Sequence, residues 1–404
     1  MFSIRTIISN SLKKCYSTTK GGEITSLYDF HVENGGKMVN FGGFLLPVQY
    51  SDQSIVNSHL CTRKNASVFD VSHMLQTEIT GKNCVNFMES LCTADIQGLA
   101  ENSASLTVFT NENGGILDDL IVTKVNEEFL YVVSNAAMKK QDQQIMLNGL
   151  QNYKKLHNRD SDIKIEFFEP LQRGLVALQG PKAAEALQKL TDVDLKTLYF
   201  MNTRIGDIAN IQGCRITRCG YTGEDGFELS IPADKAVSIV KALLENSDIK
   251  LAGLGARDSL RLEAGLCLYG SDINSEMTPI DGALTWLVAK RRRETQDFPG
   301  ASKILRQIKE GSKIKRIGLT STSGPPPRHG SQILSENNEL LGEVTSGCPS
   351  PSLGLNVAMG YVPIDYSKVG TKVGLKIRDK VYGGVVEKMP FVKANYFNKP
   401  KVNK

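Results

Sequence analysis

Apolar and polar positions change their period several times along the chain, and each change marks an element. VFDVSHMLQTEIT alternates apolar and polar residues, the two-residue period of a strand. SIVNSHLCTRKNA before it, from Ser54, and GKNCVNFMESLCT after it are predicted as helices. SASLTVFT, ILDDLIVTKV and FLYVVSN read as three consecutive strands of a meander. AMKKQDQQIMLNGLQNYKK is predicted as a long helix. GLVALQG reads as a strand, and PKAAEALQKL as a helix entered through Pro181. Residues 211–231 form a predicted hairpin with its turn at GYTGEDG. KAVSIVKALLEN and ARDSLRLEAGL follow as helices. Near the start, Gly pairs at 35–36 and 42–43 mark tight turns between brief strands. The pattern shifts at KRRRETQDFPG (290–300). Beyond it lie short β segments cut by Gly and Pro, which predict a separate all-β domain, a small barrel or jelly roll.

One segment breaks its own pattern. In TNENGGILDDLIV (110–122), Asn111, Asn113, Gly114 and Gly115 supply turn chemistry. Ile116, Leu117, Leu120, Ile121 and Val122 then form an apolar run interrupted by Asp118 and Asp119. Strand neighbours point to opposite faces. One carboxylate therefore faces solvent and the other an interior or a cleft. A buried charge without a partner is costly, so an Asp kept there suggests a ligand with something cationic or protic to offer. The plain alternative is that one Asp caps the turn and the other pairs with a nearby Arg.

Three further places carry candidate chemistry. GYTGEDGFELS puts Glu224 and Asp225 at a hairpin tip, where carboxylates are usually solvated, and Glu228 between Phe227 and Leu229 in the returning strand. The predicted helix 256–266 carries Arg257, Asp258, Arg261 and Glu263, a set that often makes surface ion pairs. Arg257 lies in the first turn, against the helix dipole, which calls for a carboxylate partner: Glu228 or a ligand carboxylate. Lys290–Arg293 is a compact cationic run close to Trp286. It reads as a solvated helix end or as a docking patch for an acidic partner. GLGARD lacks the third Gly and the βαβ context of a nicotinamide fingerprint. GPPPRHG (324–330) is a stiff turn, since Pro removes the backbone donors a phosphate loop needs.

Composition narrows the picture. At 404 residues there is room for two or three domains, and 41% apolar with 23% charged residues is ordinary for a globular chain. No apolar run is long enough to cross a bilayer. Eight scattered Cys make no CxxC pair and five scattered His make no HExxH, so no metal is expected. Free thiols fit a reducing compartment. The net charge of +5 sits in the first twenty residues, which carry Arg5, Lys13, Lys14 and Lys20 and no acid. Without them 44 basic residues face 43 acidic ones. MFSIRTIISNSLKKCYSTTK has the character of a mitochondrial transit peptide, and a nearly neutral remainder argues against nucleic acid as a partner.

Several motifs together resemble one family. LYDFH, GGKMV, FGGFLLP, FDVSHM, NENGGILDDLIV, CGYTGEDGFE, ARDSLRLEAGLCLYG, KRRRETQDFPG, VTSGCPSPSL, NVAMGYVP and KMPFV stand in the order found in the aminomethyltransferases, the T proteins of glycine cleavage. The resemblance runs from about Leu27 to Tyr396. The folate-dependent iron–sulfur assembly and tRNA-modifying relatives resemble the chain less, because Asp297–Lys303 lacks their Cys motif. The flavin domain of the related dehydrogenases is absent.

The resemblance implies an α+β, multi-domain, clover-like folate-binding fold. Its parts are a transit peptide over 1–22, a folate-binding region of two intertwined α+β domains over 23–290, and a C-terminal β-barrel over 300–396. It implies tetrahydrofolate as co-substrate, with no metal, nicotinamide or flavin. It implies lipoylated H protein as partner, in loose association with the P and L proteins, in the mitochondrial matrix. Asp118 takes the catalytic role, with Asp119 mattering less. Glu228, Arg257 and Tyr396 carry over as folate-binding positions, and Met74, Tyr131 and Val132 or Val133 stand beside the pterin. A non-catalytic folate-binding scaffold or sensor is the alternative.

Overall fold

The computed structural model describes residues 21–157 and 162–400; the leader expected over 1–22 lies, except for Gly21 and Gly22, outside them. The chain forms two compact units, each assembled from separated stretches. Among the described residues, the first draws on those up to Met74, on Phe168–Ala264 and on those from Lys393 onward. The second draws on Leu75–Phe167 and Gly265–Val392.

The first unit is built on a six-stranded sheet. Its order is Thr203–Ile208, Ile211–Thr217, Gly226–Pro232, Arg173–Gln179, Ala66–Asp70, Ile249–Leu251. All pairs are antiparallel except the last. The core lies where Val68, Val176, Leu178, Phe227 and Leu229 meet the helix Ala236–Leu244. That helix buries Ala236, Ile239, Val240 and Leu243, the spacing of a single helical face. The helix carrying Arg257 spans Leu254–Glu263, two residues earlier than its apolar pattern suggested. It starts where Gly253 packs so close to the Val48 backbone that a Cβ would fall 2.6 Å from it.

The second unit contains a five-stranded sheet, order Ser103–Thr110, Ile116–Asn126, Phe129–Ser134, Leu75–Thr80, Lys164–Phe168. The expected meander is its first three strands. Leu75, Ile79, Phe109, Leu120, Val122, Leu130 and Val132 pack with Phe87 and Met88 of the helix Cys84–Glu89 and with Met146 of the helix Lys139–His157. The same unit holds the closed barrel expected of the C-terminal region: Ile314–Ser321, Asn356–Pro363, Leu340–Pro349, Gln332–Leu334, Lys372–Ile377 and Lys380–Glu387 in spatial order. Closure removes unpaired edges. Among the described residues, no helix is long and apolar enough to cross a membrane.

Candidate active site

Asp118 lies on the buried side of Ile116–Asn126, in line with Ile116, Leu120 and Val122. The turn ahead of it is held by Asn111, whose Oδ1 accepts from the backbone N–H of Asn113 and of Gly115, each at 2.9 Å. Gly115 must be glycine, because a Cβ there would fall 1.8 Å from the Ser275 carbonyl. Asn135, just past the neighbouring strand, donates to Asp118 twice. Its backbone N–H reaches Oδ2 at 3.1 Å and its Nδ2 reaches Oδ1 at 2.9 Å.

Asp119 alternates to the other side, as expected, but it does not stand in open solvent. It is half-buried, and Asn135 Nδ2 also donates to its Oδ1 and its carbonyl, both at 3.0 Å. No arginine holds either Asp among the described residues. A third carboxyl, Asp142 in the first turn of Lys139–His157, comes up beside Asp118, fully buried and with no hydrogen-bond donor on either oxygen.

Burial raises all three carboxyls; charge from the neighbouring acid adds at Asp118 and at Asp119, which reaches about 7, while polar contacts with Asp118 and Ser134 draw Asp142 part of the way back. Asp118 and Asp142 titrate as a pair, and the pair gives up its last proton well above the ordinary carboxylate range. Tyr269, whose hydroxyl donates to the Ile116 carbonyl at 3.1 Å, is pushed to about 12 by burial and then by these charges. A cluster of this kind stores and exchanges protons near neutral pH.

The first unit contains a second polar group. Glu228 sits half-buried at the centre of its strand, opposite Thr217 and Ala177. Burial raises its carboxyl, while the Arg257 charge and a hydrogen bond from the Cys219 thiol draw it back. The Cys219 thiol is driven far up by burial and then by the Glu228 charge. The Arg257 guanidinium lies over the Tyr221 ring, 4.6 Å from its centroid. His73 is buried beside them, edge-on to Phe41 at 5.7 Å, with Nδ1 unpartnered. Burial and the Arg257 charge hold it neutral down to about pH 4.

Tyr396 stacks on Phe200 at 4.1 Å between centroids, and Phe397 stacks on Tyr199 at 5.5 Å. This docked tail lines a cleft of about 330 Å³ together with Arg63, Pro181, Glu224 and Asp225. Met74 is half-buried, its backbone N–H turned onto Val71. In the other unit, Tyr131 is buried with its hydroxyl on Gln76 Oε1 at 2.8 Å, Val132 is wholly within the sheet's core, and Val133 is nearly buried.

Comparison with known proteins turns this geometry into a family. The GCVT N-terminal domain family matches residues 27–292, and the glycine cleavage T-protein C-terminal barrel domain matches 315–393. The mitochondrial aminomethyltransferase of Canis lupus familiaris is 53% identical over 373 residues, covering 92% of this chain and 91% of that one. The chain belongs to the glycine cleavage T-protein family. The mitochondrial aminomethyltransferases of Homo sapiens and Solanum tuberosum are 52% and 49% identical, covering 92% and 95% of this chain and 91% and 93% of theirs. The solved glycine cleavage system aminomethyltransferase T of Bartonella henselae superposes with a TM-score of 0.85 at 36% identity, over 93% of this chain and 99% of that one. With its family, the chain is a mitochondrial aminomethyltransferase.

Within this T-protein fold, two readings of charged residues need correction. The Lys290–Arg293 run is not a docking patch. In the helix Lys290–Thr295, Arg292 is fully buried, binding Asp297 and the Glu89 carbonyl. Arg291 pairs with Glu89 and, at 2.7 Å, with Asp95. Arg293 donates to the Val288 and Thr285 carbonyls. Three acids, Glu89, Asp95 and Asp297, and the carbonyls of Glu89, Thr285 and Val288 take up these arginines internally.

The hairpin-tip acids are not solvated either. Glu224 is buried, taking 2.9 Å from Arg63 and 3.0 Å from Asn395, and Asp225 pairs with Arg218. Arg63 also binds Glu263, which His59 approaches at 3.1 Å. Of the pairs foreseen on the Arg257 helix, Asp258–Arg261 forms at 2.9 Å.

Proposed function

We propose that the protein moves the methylene of an aminomethyl group from the lipoyl arm of H protein onto tetrahydrofolate. The products are 5,10-methylenetetrahydrofolate, ammonia and dihydrolipoyl H protein. The observation that carries the chemistry is Asp118, a fully buried carboxylate held by two Asn135 donors beside a second buried carboxyl. In the reaction the methylene gives up one C–S and one C–N bond and gains C–N bonds to N5 and N10. The protons displaced from those nitrogens end on the thiol and on ammonia. Traffic of this kind needs a group able to take up a proton near neutral pH, and a carboxyl held above its usual range does so. Asp118 accepts from the folate amine, raises its nucleophilicity, and offsets positive charge at the carbon in transit.

Glu228 suits the pterin, whose amino and ring N–H groups pair with one carboxylate in two places. Arg257 organises that carboxylate or takes the glutamate tail. Tyr396 and Met74 offer apolar surface to the ring, while Tyr131 and Val132 act from within their own unit's packing. Tetrahydrofolate enters as co-substrate, and loose association with the P and L proteins fits a shuttled carrier.

A non-catalytic folate-binding scaffold would use Glu228 and Arg257 but has no need of Asp118. The deciding experiment is ammonia release from aminomethylated H protein, with and without tetrahydrofolate. Folate-stimulated release supports the transferase; release indifferent to folate sinks it.

A further inference from the structure

We propose that Asp142 is a positioning residue for this reaction: it carries the one proton the Asp118–Asp142 pair holds and donates it to Asp118, keeping Asp118 ionised, aimed and ready to accept. The proposal rests on the catalytic role given to Asp118 above.

The two carboxyls have unequal surroundings. Asp118 receives two N–H donors from Asn135. Asp142 is just as buried and meets no N–H donor; the Ser134 hydroxyl lies beside it. Adjacent carboxylates shielded from water do not both ionise. The donors decide which of them does: negative charge is favoured where N–H groups point, and that is Asp118. The proton is left to Asp142, whose acid O–H then has the Asp118 oxygen to donate to. The other titratable groups facing the pair are Asp119 and Tyr269. Neither brings positive charge, and among the described residues no ion pair reaches any of the three acids. Asp142 lies in the first turn of a nineteen-residue helix with most of its length beyond it, so its Cα is fixed by that helix and not by a loop.

The test compares kcat for ammonia release across pH in wild type, Asp142→Asn and Asp142→Leu, using full-length protein, aminomethylated H protein and tetrahydrofolate. Asn matches Asp in size, is neutral, and keeps an N–H for Asp118. Asp142→Asn is expected to hold kcat within about tenfold of wild type and to lose the alkaline limb, since no proton is left there to dissociate. Asp142→Leu is expected to lose roughly 10²-fold or more in kcat with tetrahydrofolate affinity unchanged. An alkaline limb displaced to lower pH in Asp142→Asn would place the proton on Asp118 and overturn the proposal. An unchanged profile would leave Asp142 as packing alone and overturn it equally.

Should Asp142→Leu misfold, infrared spectroscopy at neutral pH supplies an independent readout. In difference spectra against wild type, the protonated-carboxyl stretch is expected to be unchanged in Asp118→Asn and to lose one carboxyl's intensity in Asp142→Asn, and the reverse pattern overturns the assignment. Normal turnover by Asp118→Asn would instead remove the catalytic reading of Asp118, a separate result from where the proton lies.

Discussion

Asp118 is the residue on which the proposed reaction most depends. Asp118→Asn removes the charge while keeping the size and the Asn135 contact surface. It is expected to fold, to bind tetrahydrofolate nearly as well, and to lose about 10²–10⁴-fold in kcat, the range for a positioned proton acceptor. A kcat within about tenfold of wild type would falsify that role. Asp119→Asn is expected to cost less, because Asp119 keeps partial access to solvent. Glu228→Gln and Arg257→Ala bear on affinity. A charged hydrogen bond is worth about 1.5–3 kcal/mol, so each change should weaken tetrahydrofolate binding by about ten- to over a hundredfold while kcat at saturation moves little. Titrations that show unchanged affinity in both variants take the two residues out of the pocket. Asp118 was legible in the sequence because an acid inside an apolar strand contradicts its surroundings. Asp142 was not, since among Lys139, Lys140, Gln141 and Gln143 it looks like one more polar residue on a helix. Glu224 was missed for the opposite reason: a hairpin tip normally reaches water, and nothing local reveals that Arg63, far away in sequence, covers it.

At the level of elements, the period of the pattern was sufficient for the meander, the Gly226–Pro232 hairpin strand and the barrel strands, because each buries one face or both. Boundaries shifted where a terminus is set by contact and not by composition, as at Gly253 against Val48. The helix Lys290–Thr295 shows what composition hides. Four consecutive cations looked solvent-bound, yet Arg292 is the largest side chain among those fully buried. Its guanidinium lies against Asp297, the Glu89 carbonyl and, at 3.6 Å, the Glu89 carboxylate. Arg292→Ala strips that buried cation from its partners and should destabilise the protein by about 3–5 kcal/mol. A lowered thermal midpoint with an unchanged KM for aminomethylated H protein is the expected pair of results. A raised KM at full stability would restore the docking role rejected above.

Across the whole molecule, the Asp118 cluster and Asp70 answer pH in opposite senses. In the second unit, Asp119 and the Asp118–Asp142 pair are raised in the folded state. Their contribution is complete below the unfolded carboxylate range and is lost as pH climbs, for Asp119 through about 7. In the first unit, Asp70 is set low, at about 2. Burial alone would raise it, but His31, Ser72 and Thr25 outweigh that through hydrogen bonds and the His31 charge. Its contribution is complete above the unfolded range and is lost as pH falls through about 2. Hydrogen exchange resolved by strand, corrected for intrinsic rate, should therefore show Ile116–Asn126 losing protection between about pH 5 and 8 while Ala66–Asp70 holds. Equal behaviour of the two strands over that range would mean that the acid cluster gains no proton on folding. The interleaving of the units bears on how the protein is made. A ribosome delivers residues in order, yet the first unit needs a stretch that follows all of the second unit in sequence, from Lys393 onward, before Asn395 can meet Gly223 and Tyr396 can settle on Phe200. A stop that removes everything from Lys393 onward would leave the earlier-made sheet without its closing strap.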